Sequence, residues 1–148
     1  MLKRILHLPV FMVFLFSGTY GQNQIQFNDT SYFIPSDKDF NLLMSASKGH
    51  FDNVRSLILQ GADINAVTID NISPLMYATE NGDFLMVEFL LKSGANPNLR
   101  PFNGVTALIS ASRLNYLEIS ELLINNGADI NAADQEGVTA LHYAAAYN

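Results

Sequence analysis

From Asp37 onward the apolar residues fall into short clusters at helical spacing, separated by turns rich in Gly, Asn and Asp. Val54, Leu57 and Ile58 stand at i, i+3 and i+4, which puts them on one face of a helix. Val87, Leu90 and Leu91 do the same, and Leu123-Ile124 supplies a further apolar doublet. Each doublet runs into a similar phrase: Gly61-Ala62-Asp63-Ile64-Asn65, Gly94-Ala95-Asn96-Pro97-Asn98 and Gly127-Ala128-Asp129-Ile130-Asn131. These phrases lie 33 residues apart. A fixed period of that length marks a repeat protein, and each unit reads as turn, short helix, turn, longer helix and loop.

The units run from about 37 to 68, 69 to 100, 102 to 132 and, in part, 134 to 148. The first departs most from the rest, with Phe40-Asn41-Leu42 opening its first helix and Ser45-Ala46 as its small pair. Its second helix is predicted over Asp52–Gln60, closed by Gly61, which can take a left-handed cap without steric cost. In the second unit Ser73 caps a helix that begins at Pro74, a position with no need of an N–H. Leu75 and Ala78 face inward there. In the third, Asn115 replaces the turn glycines Gly49 and Gly82, and Asn tolerates the left-handed region. The fourth unit opens normally at Asp134 and has no second helix before Asn148, so Leu141, Ala144 and Ala145 are predicted to form an open apolar edge. That edge reads as the mark of a longer protein, as a short cap, or as the seam of a homodimer.

Ser73-Pro74-Leu75, Thr106-Ala107-Leu108 and Thr139-Ala140-Leu141-His142-Tyr143-Ala144-Ala145 share one register. The last of these resembles the Thr-Pro-Leu-His-x-Ala signature of the ankyrin repeat, with Ala140 in place of Pro. The resemblance covers about 37–148. It implies an all-α ankyrin-repeat solenoid of three repeats plus a truncated fourth. It also implies that His50 and His142 are structural residues tying neighbouring turns together, and that a protein partner is gripped by the turn tips and the exposed side of the first helices. By register those positions are Ile69, Asp70, Ile72, Glu80 and Asn81 in the second unit. The third contributes Phe102, Asn103, Val105, Arg113 and Leu114, and the fourth Gln135, Glu136 and Val138. Ile69, Ile72, Phe102, Val105 and Val138 are expected to make a contiguous apolar patch, the usual mark of a binding site. Asp70, Glu80 and Glu136 form its acidic rim and favour a partner with basic surface.

Residues 1–21 lie outside this pattern. Lys3 and Arg4 precede an almost wholly apolar run, Ile5–Phe16, and then small residues up to Gly21. That order reads as a secretory signal peptide, and the run falls short of the roughly 18 to 20 residues that span a bilayer. Cleavage leaves Gln22 as the N-terminus and moves the net charge from −6 to −8. An acidic chain is a poor ligand for nucleic acid or anionic lipid. The predicted address is therefore exported, periplasmic or secreted, with no membrane association after cleavage. Together with the resemblance, export points to a bacterial source and an inhibitory or shielding role. Residues 22–36 read either as an extended leader whose aromatics cover the first repeat or as a loose tether. Asn28-Asp29-Thr30 and Asn71-Ile72-Ser73 are glycosylation sequons.

Chemistry is sparse. The sequence has no cysteine, and after cleavage only His50 and His142 remain as histidines, nearly three repeats apart. Neither a nucleophile with its base nor a zinc ligand set can be assembled from them. Asp63, Asp129, Asn65, Asn98 and Asn131 recur with the period and read as loop-capping residues, not calcium ligands. No phosphate-binding glycine loop is present. The sequence thus predicts a non-catalytic, cofactor-free and metal-free protein-binding module. The alternatives are the N-terminal fragment of a longer repeat protein or enzyme, and a self-associating structural repeat.

Overall fold

The computed structural model describes residues 36–146. The predicted signal peptide, residues 22–35 of the predicted leader and the Asn28 sequon lie outside the described residues. The helices are α1 (Asp37–Ser47), α2 (Phe51–Leu59), α3 (Pro74–Glu80), α4 (Phe84–Lys92), α5 (Ala107–Arg113), α6 (Leu117–Asn125) and α7 (Ala140–Ala145). No strand occurs among the described residues, which hold only an isolated antiparallel bridge between Ala133 and Thr139. The all-α reading holds.

Each first helix starts where a hydroxyl can take an orphan N–H. Ser73 Oγ accepts from Met76 N and Thr106 Oγ1 from Ile109 N, both at 3.3 Å. At α7 the roles reverse, and Thr139 N donates to His142 Nδ1 at 3.1 Å. Helix α1 begins a turn earlier than its counterparts. It has 11 residues against 7 in α3 and α5, because Ser36 is its N-cap instead of the last leader residue. Ser36 Oγ accepts from Asp39 N at 3.2 Å and donates to Asp39 Oδ2 at 2.6 Å. Helix α2 lies one residue earlier than predicted, with Gln60 as its C-cap, and Gly61 follows at φ +86°. Asn115 takes the left-handed turn at φ +58°, as its register with the turn glycines requires.

The first helices stack α1 on α3 on α5 on α7, and α4 packs on α6. Leu42, Leu75 and Leu108 fill one layer of the shared core and Val54, Val87, Leu90 and Leu123 another, all at most 2% exposed. Each such side chain is worth about 1.5–3 kcal/mol on burial. Ala78 and Ala111 are fully buried between paired helices, where a larger side chain would push the helices apart. Leu57 and Ile58 are only half-buried. Their helix is held by the buried Val54 and by Phe51, whose ring meets Phe89 of α4 edge-on at 5.5 Å.

Loop residues carry the stacking from one unit to the next. Asp63 N donates to Asp39 Oδ1 at 2.7 Å, and Asp63 Oδ1 accepts from Asn65 N at 2.9 Å. Asn65 Oδ1 then accepts from Asn96 N at 2.8 Å, and Asn96 Oδ1 from Asn98 N at 2.9 Å. Asn98 Oδ1 accepts from Asp129 N at 2.7 Å while its Nδ2 donates to Gly127 O at 2.9 Å, and Asp129 Oδ1 accepts from Asn131 N at 2.9 Å. Side-chain acceptors thus meet backbone donors in a continuous ladder, alternately within a loop and between loops. The loop-capping role read from the period is correct, and half of it is performed between repeats.

Candidate functional site

The turn tips are built by local hydrogen bonding and joined by backbone contacts. In the second unit Asn71 N donates to Thr68 O at 2.9 Å and Thr68 N to Ile72 O at 3.0 Å, closing a tight hairpin. Asn71 sits at φ +65°, where the next two units carry Gly104 (φ +76°) and Gly137 (φ +79°). Its Nδ2 donates to Arg100 O at 2.6 Å, and Ser73 is buried as a helix cap. The Asn71 sequon is therefore a structural element of the folded repeat. Phe102 N donates to Asp70 O, and Gln135 N to Asn103 O, both at 3.2 Å. Arg100 Nη2 adds a bond to Ala133 O at 2.6 Å, and Gln135 Nε2 one to Phe102 O. The three tips form one continuous row.

Glycine is required in this row at Gly104. Besides its positive φ, a Cβ there would lie 2.8 Å from Asp134 Cα, inside the next tip's backbone. In the fourth tip, Asp134 Oδ1 accepts from Glu136 N and Val138 N, both at 2.9 Å. The Val138 N–H above all, with Glu136 N–H and the Tyr143 hydroxyl, holds this carboxyl below the usual carboxylate range.

The row displays fewer apolar side chains than its sequence promises. Ile69 is 78% exposed and Phe102 68%. They occupy the same register position on adjacent tips, where the fourth tip has the polar Gln135. Ile72 and Val105 are half-buried and pack against the core, and Val138 is also half-buried. The expected patch of five apolar side chains is thus an exposed pair. Ile72 and Val105 are taken up by the shared core instead.

Asp70, Glu80, Arg113, Gln135, Glu136 and Asn103 are exposed, as is Leu114 at 40%. Asn81 is exposed too, but its Nδ2 already donates to Ala46 O at 3.1 Å and Ser47 O at 3.3 Å, so it joins the first two repeats. Two inner-face residues were missed by register mapping. Tyr77 and Tyr143 lie one repeat pair apart on α3 and α7, both half-buried. Burial first, then the charges of Glu80 and Asp70, pushes the Tyr77 hydroxyl above its ordinary pKa. Partial burial and then Asp134, whose Oδ2 accepts from Tyr143 OH at 3.3 Å, do the same for Tyr143. The signal available in sequence was their shared offset from Leu75 and Leu141.

The histidines do not tie neighbouring turns. His50 is exposed at the N-cap of α2 and makes no side-chain cap bond there. His142 serves the start of its own helix through Thr139 N, with Thr139 Oγ1 2.9 Å from the same Nδ1. Among the described residues no three His, Cys, Asp or Glu side chains come together in a metal-binding group. No helix among them is long and apolar enough to cross a membrane.

The geometry is that of a row of tips joined by hydrogen bonds and flanked by short helices, with two exposed apolar side chains, Ile69 and Phe102, at one register position. A family model described as ankyrin repeats (3 copies) matches residues 22–101 and again residues 75–148. None of the curated proteins matches the chain.

Proposed function

The chain belongs to the ankyrin-repeat family, whose repeats are protein-interaction modules, and we propose that it is an exported, non-catalytic binder of one protein partner. The partner docks on the turn tips and the inner side of the first helices, with Ile69 and Phe102 as anchors. The observation that carries this reading is the exposure of that pair, 78% and 68%, at one register position on adjacent tips. Neither side chain is needed by the repeat's own core, and exposed aromatic anchors are favoured at the centres of interfaces.

Asp70, Glu80 and Glu136, all exposed, favour a partner with basic surface, chiefly through its approach rate. Tyr77 adds an amphipathic contact beside the anchors. Because hydrogen bonds already lock the tips to one another, little ordering entropy opposes docking. Occupying the partner's surface in this way would inhibit or shield it. Residues 1–21, read as a signal peptide, supply the exported address, periplasmic or secreted.

The test is affinity capture from the exported-protein fraction with the full chain, against an Ile69→Asp/Phe102→Asp variant. One protein enriched on the parent and lost on a variant that still melts cooperatively is the expected result. Equal capture by both chains rejects the tips as the site.

A further inference from the structure

The sequence holds three Asn-Gly pairs, Asn81-Gly82, Asn103-Gly104 and Asn126-Gly127. In such a pair the glycine has no Cβ to shield its peptide nitrogen from the preceding side-chain amide, so the pair is prone to intramolecular deamidation. In each pair the glycine N–H donates to a carbonyl three residues back, Thr79 O at 3.0 Å, Pro101 O at 2.9 Å and Ile124 O at 3.0 Å. A local opening must therefore precede reaction, and what has to open differs from pair to pair. Gly82 is half-buried, with the Tyr116 ring 2.9 Å from where its Cβ would be, and Asn81 Nδ2 donates to Ala46 O and Ser47 O of the first repeat. Gly104 is buried against the Asp134 backbone, and Asn103 O accepts from Gln135 N. Those two pairs are released only when neighbouring repeats part. At the third pair both residues are exposed, and nothing lies within 4 Å of a Cβ placed on Gly127. Gly61 and Gly94, at the same register, are equally open, so this exposure belongs to the repeat itself. Asn126 is the C-cap of α6, and its Nδ2 donates to Leu122 O of that same helix at 2.8 Å. Fraying of one helix end frees it, and such ends open at far lower cost than packed core elements.

We propose that Asn126 is a site of spontaneous deamidation in the folded protein, and that the reaction loosens the ladder between loops. The Gly127 peptide nitrogen gives its proton to solvent base and attacks Asn126 Cγ. As the N–Cγ bond forms, the Cγ–Nδ2 bond breaks, and ammonia leaves with a proton taken from water. Water then adds to either carbonyl of the resulting succinimide and opens it to aspartate or isoaspartate. The net change is hydrolysis of one side-chain amide, with water as the sole co-reactant. Aspartate loses the donor to Leu122 O and sets a negative charge at the C-terminal end of α6, where the helix dipole disfavours it. Isoaspartate also adds one atom to the main chain immediately before Gly127, whose carbonyl accepts from Asn98 Nδ2 at 2.9 Å. That displaces one half of the double bridge by which Asn98 joins its loop to the next.

The test incubates the full chain in mildly alkaline buffer, native or unfolded in urea, and follows each pair by mass spectrometry of proteolytic peptides. In the native chain Asn126 should convert at least about fivefold faster than Asn81 or Asn103, because its opening spares at least one hydrogen bond between repeats. In urea the three rates should converge, since the dipeptide alone then sets them. Comparable native rates, or an Asn126 lead that persists in urea, overturn the proposal. So does an Asn126 that stays intact in the native chain while the unfolded chain converts. The isoaspartyl form, isolated by ion exchange, should unfold at lower urea than the parent. That loss should shrink in an Asn98→Ala background, which already lacks the bridge. A loss of equal size in both backgrounds refutes the effect on the ladder.

Discussion

Asn65, Asn98 and Asn131 are one residue type at one register position, yet they make different numbers of side-chain bonds. Asn98 bridges two loops twice, through Oδ1 to Asp129 N at 2.7 Å and Nδ2 to Gly127 O at 2.9 Å. Asn65 bridges once, through Oδ1 to Asn96 N at 2.8 Å. The Asn131 side chain has no such bond among the described residues. A hydrogen bond contributes about 0.5–1.5 kcal/mol net, and water can replace part of it at these loop positions. Truncation to alanine should therefore cost about 1–2 kcal/mol at Asn98, about 0.5–1 at Asn65 and roughly nothing at Asn131. Asn98→Asp keeps the acceptor and loses the donor, so it should fall near half of Asn98→Ala. In urea unfolding the Asn98→Ala midpoint should drop by about 0.5–1 M with m unchanged. Equal losses for Asn131→Ala and Asn98→Ala would refute the idea that these side chains stabilise by joining repeats. A neutral Asn98→Ala would refute it too.

Gly104→Ala should destabilise by about 2–4 kcal/mol, combining left-handed strain with a clash against the Asp134 backbone. Gly137→Ala meets only the strain and should cost about 1–2 kcal/mol; equal midpoints in thermal melts would rule out the overlay of tips. Asp39 is held below the usual carboxylate range, first by the Ser36 hydroxyl and then by the Asp63 N–H, and Asp134 is held down by its own tip. Stability from depressed carboxyls is complete above the unfolded value of about 3.9 and is lost as pH falls from there through the folded values. The gap in stability between the parent and Asp39→Asn/Asp134→Asn should therefore shrink below about pH 4, and a gap constant from pH 6 to pH 3 would contradict the assignment. Ile69→Asp and Phe102→Asp should each change stability by less than about 0.5 kcal/mol, so a larger loss in a urea titration would mean that these side chains serve the stack.

Much of the fold was legible because its signals are local. The helical spacing of the apolar doublets, the Ser73 cap and the left-handed turn at Asn115 each follow from residues a few positions apart, and the 33-residue period repeats such local patterns along the chain. The helical boundaries moved where a cap outweighed the period. Ser36 and Asp39 engage each other at the start of α1 and lengthen it, although nothing in the repeat pattern requires that pair. The loop Asn and Asp residues read as loop caps, and the structure adds that Asn65 and Asn98 also bond to the following loop.

The candidate site was legible as a set of positions and not as a surface. Ile69 and Ile72 are the same residue three positions apart, and only the tertiary structure separates an exposed anchor from a core contact. Ile72 is half-buried against the shared core, whereas Ile69 is 78% exposed. The same holds for Asn81, whose amide is taken by the first repeat, and for the sequon at Asn71, which is spent on Arg100. Sequence by itself determined that this chain repeats, that each full repeat pairs two short helices, and which faces are apolar, because helical periodicity acts within a turn or two. Which of those apolar and polar groups remain available to a partner was decided by stacking, because burial depends on what the neighbouring repeat places over each residue.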